Sequence, residues 1–247
     1  MRPIMLLAGV VLVGTAATAS GQVIIYNNTT NSIAAALQNG GATNQSGNTI
    51  TNFVADDIQP LAGFAGRSVT NFSLSVANLN PTAVTARPRV RIFLPDGPNL
   101  GPGTAIATLN FPTATFTGSS ISLIVSGQLG PTQFVIPSSS FFWAGVAFDD
   151  FGGTTGATLA QMNNLGQGVF NPPTVGISDD VYFITTDPGV PGNSPPGSQR
   201  NFGGTPVANF GWQFQVAPVP EPGTLVLLFG PTAIALLAHV RRFRASK

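Results

Sequence analysis

Cysteine is absent from the 247 residues, the only lysine is Lys247, the only glutamate Glu221 and the only histidine His239. Each absence removes a class of chemistry. Without cysteine there is no disulfide, no thiolate nucleophile and no Cys-ligated metal. With the one histidine near the C-terminus, the preceding part of the chain lacks the base of a Ser-His-Asp site and the imidazoles of a hydrolytic zinc centre. Charge is scarce altogether, at 8% of residues. Residues 22–217 carry five arginines and eight aspartates, a formal balance of −3, although the whole chain is +1. A mildly acidic body gives no electrostatic reason to bind nucleic acid.

The ends of the chain differ from its middle. Residues 1–21 begin with Arg2, continue through an apolar stretch from Ile4 to Val13, and close on small residues. Ala17-Thr18-Ala19, or the following Ala19-Ser20-Gly21, suits signal cleavage. This is the layout of a secretory signal peptide, to be excluded from the fold. At the other end, Thr224 to Val240 is apolar apart from Gly230-Pro231 and His239, and has no formal charge. As a helix it spans about 25 Å, the short end of the range for a membrane segment. Arg241, Arg242 and Arg244 follow it, and basic flanks favour the cytoplasmic side. Pro220-Glu221-Pro222 precedes it as a stiff spacer. The expected division is therefore a signal at 1–21, an ectodomain at 22–217 and an anchor region at 218–247 with a transmembrane helix at 224–240.

Residues 218–247 resemble the PEP-CTERM sorting signal of bacterial surface proteins, down to Val219-Pro220-Glu221-Pro222-Gly223-Thr224. The resemblance implies export through the Sec translocon, a Gram-negative-type envelope and processing by an exosortase. Pro220, Glu221 and Pro222 would then be the motif that is read. A second, looser resemblance covers roughly 56–150. Arg89-Val90-Arg91-Ile92-Phe93-Leu94, the Gly101-Pro102-Gly103-Thr104 linker with Ala105 to Leu109, and Phe141-Phe142-Trp143-Ala144-Gly145-Val146 follow one another. That order is similar to the β-sandwich modules found beside C-terminal anchors in bacteria. Such modules share no catalytic residues.

The body reads as all-β, a single jelly-roll-like sandwich. In Asn209 to Val216, Phe210, Trp212, Phe214 and Val216 alternate with polar or small residues, the period of a half-buried strand. Phe72, Leu74 and Val76 alternate likewise, as do Val90, Ile92 and Leu94. Ile121, Leu123 and Val125 share a face, and so do Phe142, Ala144, Val146 and Phe148. Further strands are expected over 23–26, 50–55, 105–109, 133–136, 157–162 and 181–185. Ser32 to Leu37 suits one or two helical turns. Otherwise helix is expected only at the two termini. The Pro- and Gly-rich segment 187–206 has no apolar period and reads as a mobile loop.

Three aspartate pairs are the candidate site: Asp56-Asp57, Asp149-Asp150 and Asp179-Asp180. Gathered in loops at one end of a sandwich, they would offer the hard oxygen ligands that Ca²⁺ takes. As separate pairs they are ordinary turn aspartates. Arg87, Arg89 and Arg91 share one strand face, suited either to an acidic polysaccharide or to a plain solvent face. Trp143, Trp212 and Tyr182 are the aromatics available to stack on sugars, with Trp212 placed in a core by its alternation. The expectation from sequence is a non-enzymatic surface protein with a structural or adhesive role in an extracellular polysaccharide. A carbohydrate-binding module is the alternative and an exported hydrolase the third.

Overall fold

A computed structural model of the chain describes residues 21–125, 134–139, 141–185, 198–204 and 207–217. Residues 1–20 of the expected signal peptide at 1–21, and the whole of 218–247, including Pro220, Glu221, Pro222, Arg241, Arg242 and Arg244, lie outside the described residues.

The described chain is dominantly strand, and every strand pairing is antiparallel. In order come β1 (Val23–Asn27), β2 (Ser32–Gln38), β3 (Thr43–Gln45), β4 (Asn48–Ile50), β5 (Phe53–Ile58), β6 (Val69–Asn78) and β7 (Val84–Phe93). Then follow β8 (Ala105–Asn110), β9 (Ala114–Phe116), β10 (Ser120–Val125), β11 (Phe142–Asp149) and the short helix α1 (Leu159–Asn163). The series ends with β12 (Leu165–Phe170), β13 (Tyr182–Thr185), β14 (Ser198–Arg200), β15 (Asn209–Phe210) and β16 (Trp212–Val216).

Two sheets result. In the first, β6 has β10 on one side and β16 and β12 on the other; β1 flanks β16 and β2 flanks β12. In the second, β14, β13, β5 and β11 lie in order, with β7 and then β8 beyond β11. Alternation decides what enters the space between them. Phe72, Leu74 and Val76 of the first sheet meet Val90, Ile92, Phe142, Val146 and Phe148 of the second, all in one buried cluster. Phe214 is its centre. Its ring meets those of Tyr26, Phe72, Phe134, Phe142 and Trp212, with the Trp212 ring stacked at 5.7 Å and 9°.

A smaller apolar cluster forms on the outer side of the second sheet, from Ile50, Phe53, Phe93, Trp143 and Phe183. The segment after β7 helps to cover it. The Trp143 indole N–H donates to the Leu100 carbonyl at 2.8 Å, and Gln199 Nε2 donates to the Asn99 carbonyl at 2.9 Å. Gly145 of β11 leaves room for Phe53, because a Cβ there would collide with its ring.

Several sequence expectations are corrected. Ser32 to Leu37 is strand, not helix: β2 pairs with β12 from Gly166↔Gln38 to Phe170↔Ser32. Six residues cannot meet the cost of helix nucleation alone, and the ladder supplies their backbone partners instead. The expected strand at 157–162 overlaps α1 instead, so helix is not confined to the termini. Thr158 accepts from the Gln161 backbone N–H while the Gln161 side chain accepts from that of Thr158, a reciprocal cap. Within the expected loop 187–206, Ser198–Arg200 is strand β14 against β13, while 187–197 and 205–206 lie outside the described residues. Ile121 and Leu123 do share a face, but it is the outward one, 36% and 49% exposed, and Ile124 points into the core.

Because Phe214 touches five rings, truncating it removes a contact centre shared by both sheets. Phe214→Ala is expected to lower stability by about 3–5 kcal/mol, the range for a buried aromatic. Urea denaturation followed by tryptophan emission measures it.

Candidate functional site

Asp56 and Asp57 are consecutive on β5 and so point to opposite faces of the strand. Asp56 joins Val54 and Ile58 between the sheets and is fully buried. Its Oδ2 accepts the Phe210 backbone N–H at 2.8 Å, a tie from the second sheet to the first. Its Oδ1 and the buried Tyr26 hydroxyl have no hydrogen-bond partner among the described residues. Burial, and then the charge of Asp57, push the Asp56 carboxyl well above the usual carboxylate range. The cause is desolvation, which penalises the anion.

Asp57 is held by the chain that follows β12. Its carboxylate accepts the Ser178 hydroxyl at 3.1 Å, the Asp179 backbone N–H at 3.1 and 3.2 Å, and Gln59 Nε2 at 3.3 Å. Burial raises its carboxyl to about 7, against those hydrogen bonds, which favour the anion. Asp179 accepts from the same Gln59 Nε2 at 3.4 Å. Asp180 accepts the backbone N–H groups of Gly204 at 2.7 Å and Ala208 at 3.0 Å. These carboxylates therefore staple the segments before β13 and β15 onto the sheets.

Asp149 and Asp150 stand elsewhere. Asp56 is opposite Ala144 on β11, and Asp149 lies five residues further along that strand. At the rise of a strand this is about 17 Å. Asp149 is fully buried and receives the fork of Arg87, Nε at 2.8 Å and Nη2 at 2.7 Å, with Arg89 Nε at 3.6 Å. Asp150 accepts the Thr49 N–H at 2.9 Å and the Gly153 N–H at 3.1 Å. The structure thus brings Asp57 to Asp179 and leaves Asp149 and Asp150 apart. Among the described residues no group of three or more carboxylates is placed to hold a metal ion.

The arginine row is not a free cationic face. Arg87 and Arg89 spend their charge on Asp149, and Arg91 is buried. Trp143, Trp212 and Tyr182 are buried too and offer no ring to a sugar. The exposed aromatic is one that the sequence did not single out. Phe151 is 49% exposed and holds a positive φ of 52°, rare for a bulky residue. The Arg87 guanidinium lies over its ring at 4.4 Å. Hydrogen bonds from the N–H groups of Phe151 to Asp149, Gly152 to Asn48 and Gly153 to Asp150 pin the turn. A large aromatic set between two aspartates and two glycines was the signal available in the sequence.

The raised carboxyl of Asp57 has a defined sign. The folded state holds a proton that the unfolded chain releases near pH 4. Its stabilising contribution is complete below that pH and is lost as pH rises through about 7. The urea midpoint is expected to fall between pH 5 and pH 8, and Asp57→Asn is expected to flatten that fall.

In comparison with known proteins, no family model matches the chain and no curated protein matches it.

Proposed function

We propose that this is an exported surface protein, held at the membrane by residues 218–247, processed there by an exosortase, and acting without catalysis in an extracellular polysaccharide matrix. Its body is a single jelly-roll-like ectodomain with a structural or adhesive role. The Sec translocon delivers it, the signal peptide is removed, and Arg241, Arg242 and Arg244 stay on the cytoplasmic side. The observation that carries this reading is the composition of the two ends, an apolar N-terminal segment behind Arg2 and an apolar C-terminal segment between Pro220-Glu221-Pro222 and an arginine cluster.

The fold is compatible with such tethering in one respect. Val23 pairs with Val216, so the body begins and ends side by side at one end of the sandwich. Phe142 starts β11 opposite Ile58, close to Leu61, whose N–H bonds the Ile25 carbonyl. Asp149 and Phe151 lie at the other end of β11, away from the point where residues 218–247 leave.

A second reading, a carbohydrate-binding module, is favoured by Phe151. A ring fixed on a pinned turn at the far end of the sandwich is suited to stack on a pyranose face. Binding of the protein to a glycan array, lost in Phe151→Ala with the urea midpoint little changed, would select this reading over a purely structural role.

The tail is tested directly in the native host. Truncation after Ala217 is expected to release folded body into the medium. Glu221→Ala is expected to leave full-length protein in the membrane fraction. Normal processing of the Glu221 variant, or an unfolded truncated body, would sink the proposal.

A further inference from the structure

An edge strand offers unpaired N–H and C=O groups to any other strand, and proteins blunt such edges by shortness, charge, proline, bulges or cover. β1 has a register break between Ile24 and Tyr26 and is covered by bonds from Leu61 and with Val175. β2 is bulged where Ala34 takes a φ of 56°. β14 is three residues long and carries Arg200, and β3 and β9 are three residues each. β8 has a register break opposite Ile92 and Phe93 and is followed at once by Phe111-Pro112.

Among the described residues β10 has none of these devices. Its six residues pair with β6 from Ser120↔Asn78 to Val125↔Ser73 without a register break. No strand among the described residues pairs with its other edge. It contains no proline, and no residue between Asp96 and Asp149 carries a charge. Its outer face is apolar, with Ile121 and Leu123 exposed there, while Ile124 on the inner face, beside Ser120 and Ser122, reaches the core. Ile121 lies over Gly168, where a side chain would collide with it.

We infer that β10 is a self-association edge, and that its occupant is the β10 of a second copy of this chain, joined antiparallel about a two-fold axis. Three observations select a second copy. An antiparallel edge is self-complementary under a two-fold, so one strand supplies both halves of the contact. The absence of charge on the strand gives a charged partner nothing to pair with and removes repulsion between copies. A register centred on Ser122 sets Ile121 across from the second copy's Leu123 on the same outward face, apolar against apolar. The assembly closes as a pair rather than growing into a fibre, because the opposite edges of the same sheet, β1 and β2, are broken or covered. The contact is small, so association belongs to the weak, transient class and depends on concentration.

This inference is independent of the tail's processing and is tested on the full chain in non-ionic detergent, by light scattering across a concentration series. The wild-type chain is expected to approach twice the monomer mass. Ile121→Lys/Leu123→Lys is expected to stay at one, with unchanged emission from the buried Trp143 and Trp212 as the sign of an intact fold. Because the chain is free of cysteine, Ser122→Cys gives a second measurement that needs no lysine: mild oxidation should yield a covalent dimer, and Thr154→Cys on the distal turn should not. A wild-type chain that is monomeric throughout, a dimer that survives both lysines, or a Ser122→Cys variant that does not cross-link would each overturn the inference.

Discussion

The six-ring contact around Phe214 is what the two sheets have in place of a covalent or ionic tie. There is no disulfide, and the ion pairs seen among the described residues all involve one carboxylate, Asp149. Cohesion between the sheets therefore falls to apolar burial, chiefly of aromatics, each worth a few kcal/mol. That constraint explains other features. The inward positions of β6, β11 and β16 are large and apolar almost without exception. Some polar groups in the interior bond across to the other sheet, as when Gln167 Nε2 donates to the Val54 carbonyl at 3.2 Å. Asp56 does the same from the other side, bonding the Phe210 N–H.

Strands with a clean alternation were legible in the sequence because one face of each meets a core. β6, β7, β11 and β16 follow the period of two, and the sequence reading of them agrees with the pairing registers. Where local propensity and tertiary demand disagree, the reading failed. The alanines of β2 favour helix on their own, but β12 required a neighbour. At α1 the information was present in another form: Thr158 and Gln161 have the spacing of a capping box, and the apolar residues around them suggested a strand instead. Ile121 and Leu123 do share a face, as their spacing indicates, but periodicity reports which residues share a side and not which side is inside.

The aspartates show a different limit. Their pairing along the chain was visible, but sequence spacing carries no information on which loops share an end of a sandwich. The register of β5 on β11 answers that, and it divides the three pairs. The register of β7 on β11 in turn makes the arginine row counter-charge, since Asp149 sits across from Arg87 in that ladder. Low overall charge is consistent with this economy. Of the arginines of β7, two are committed to one buried carboxylate and the third is itself buried.

The pairing of Val23 with Val216 has a mechanical consequence. β16 is the last described strand, and it lies between β1 and β6, bonded on both sides. Ladder bonds in antiparallel sheets run perpendicular to the strands. A pull on the chain beyond Ala217, directed along β16 and resisted at the far end of the sandwich, loads both ladders in shear, so many bonds must give together. A pull across the strands would instead open them one pair at a time. Force along β16 therefore meets the bonds of two ladders at once, and force across the strands meets them singly.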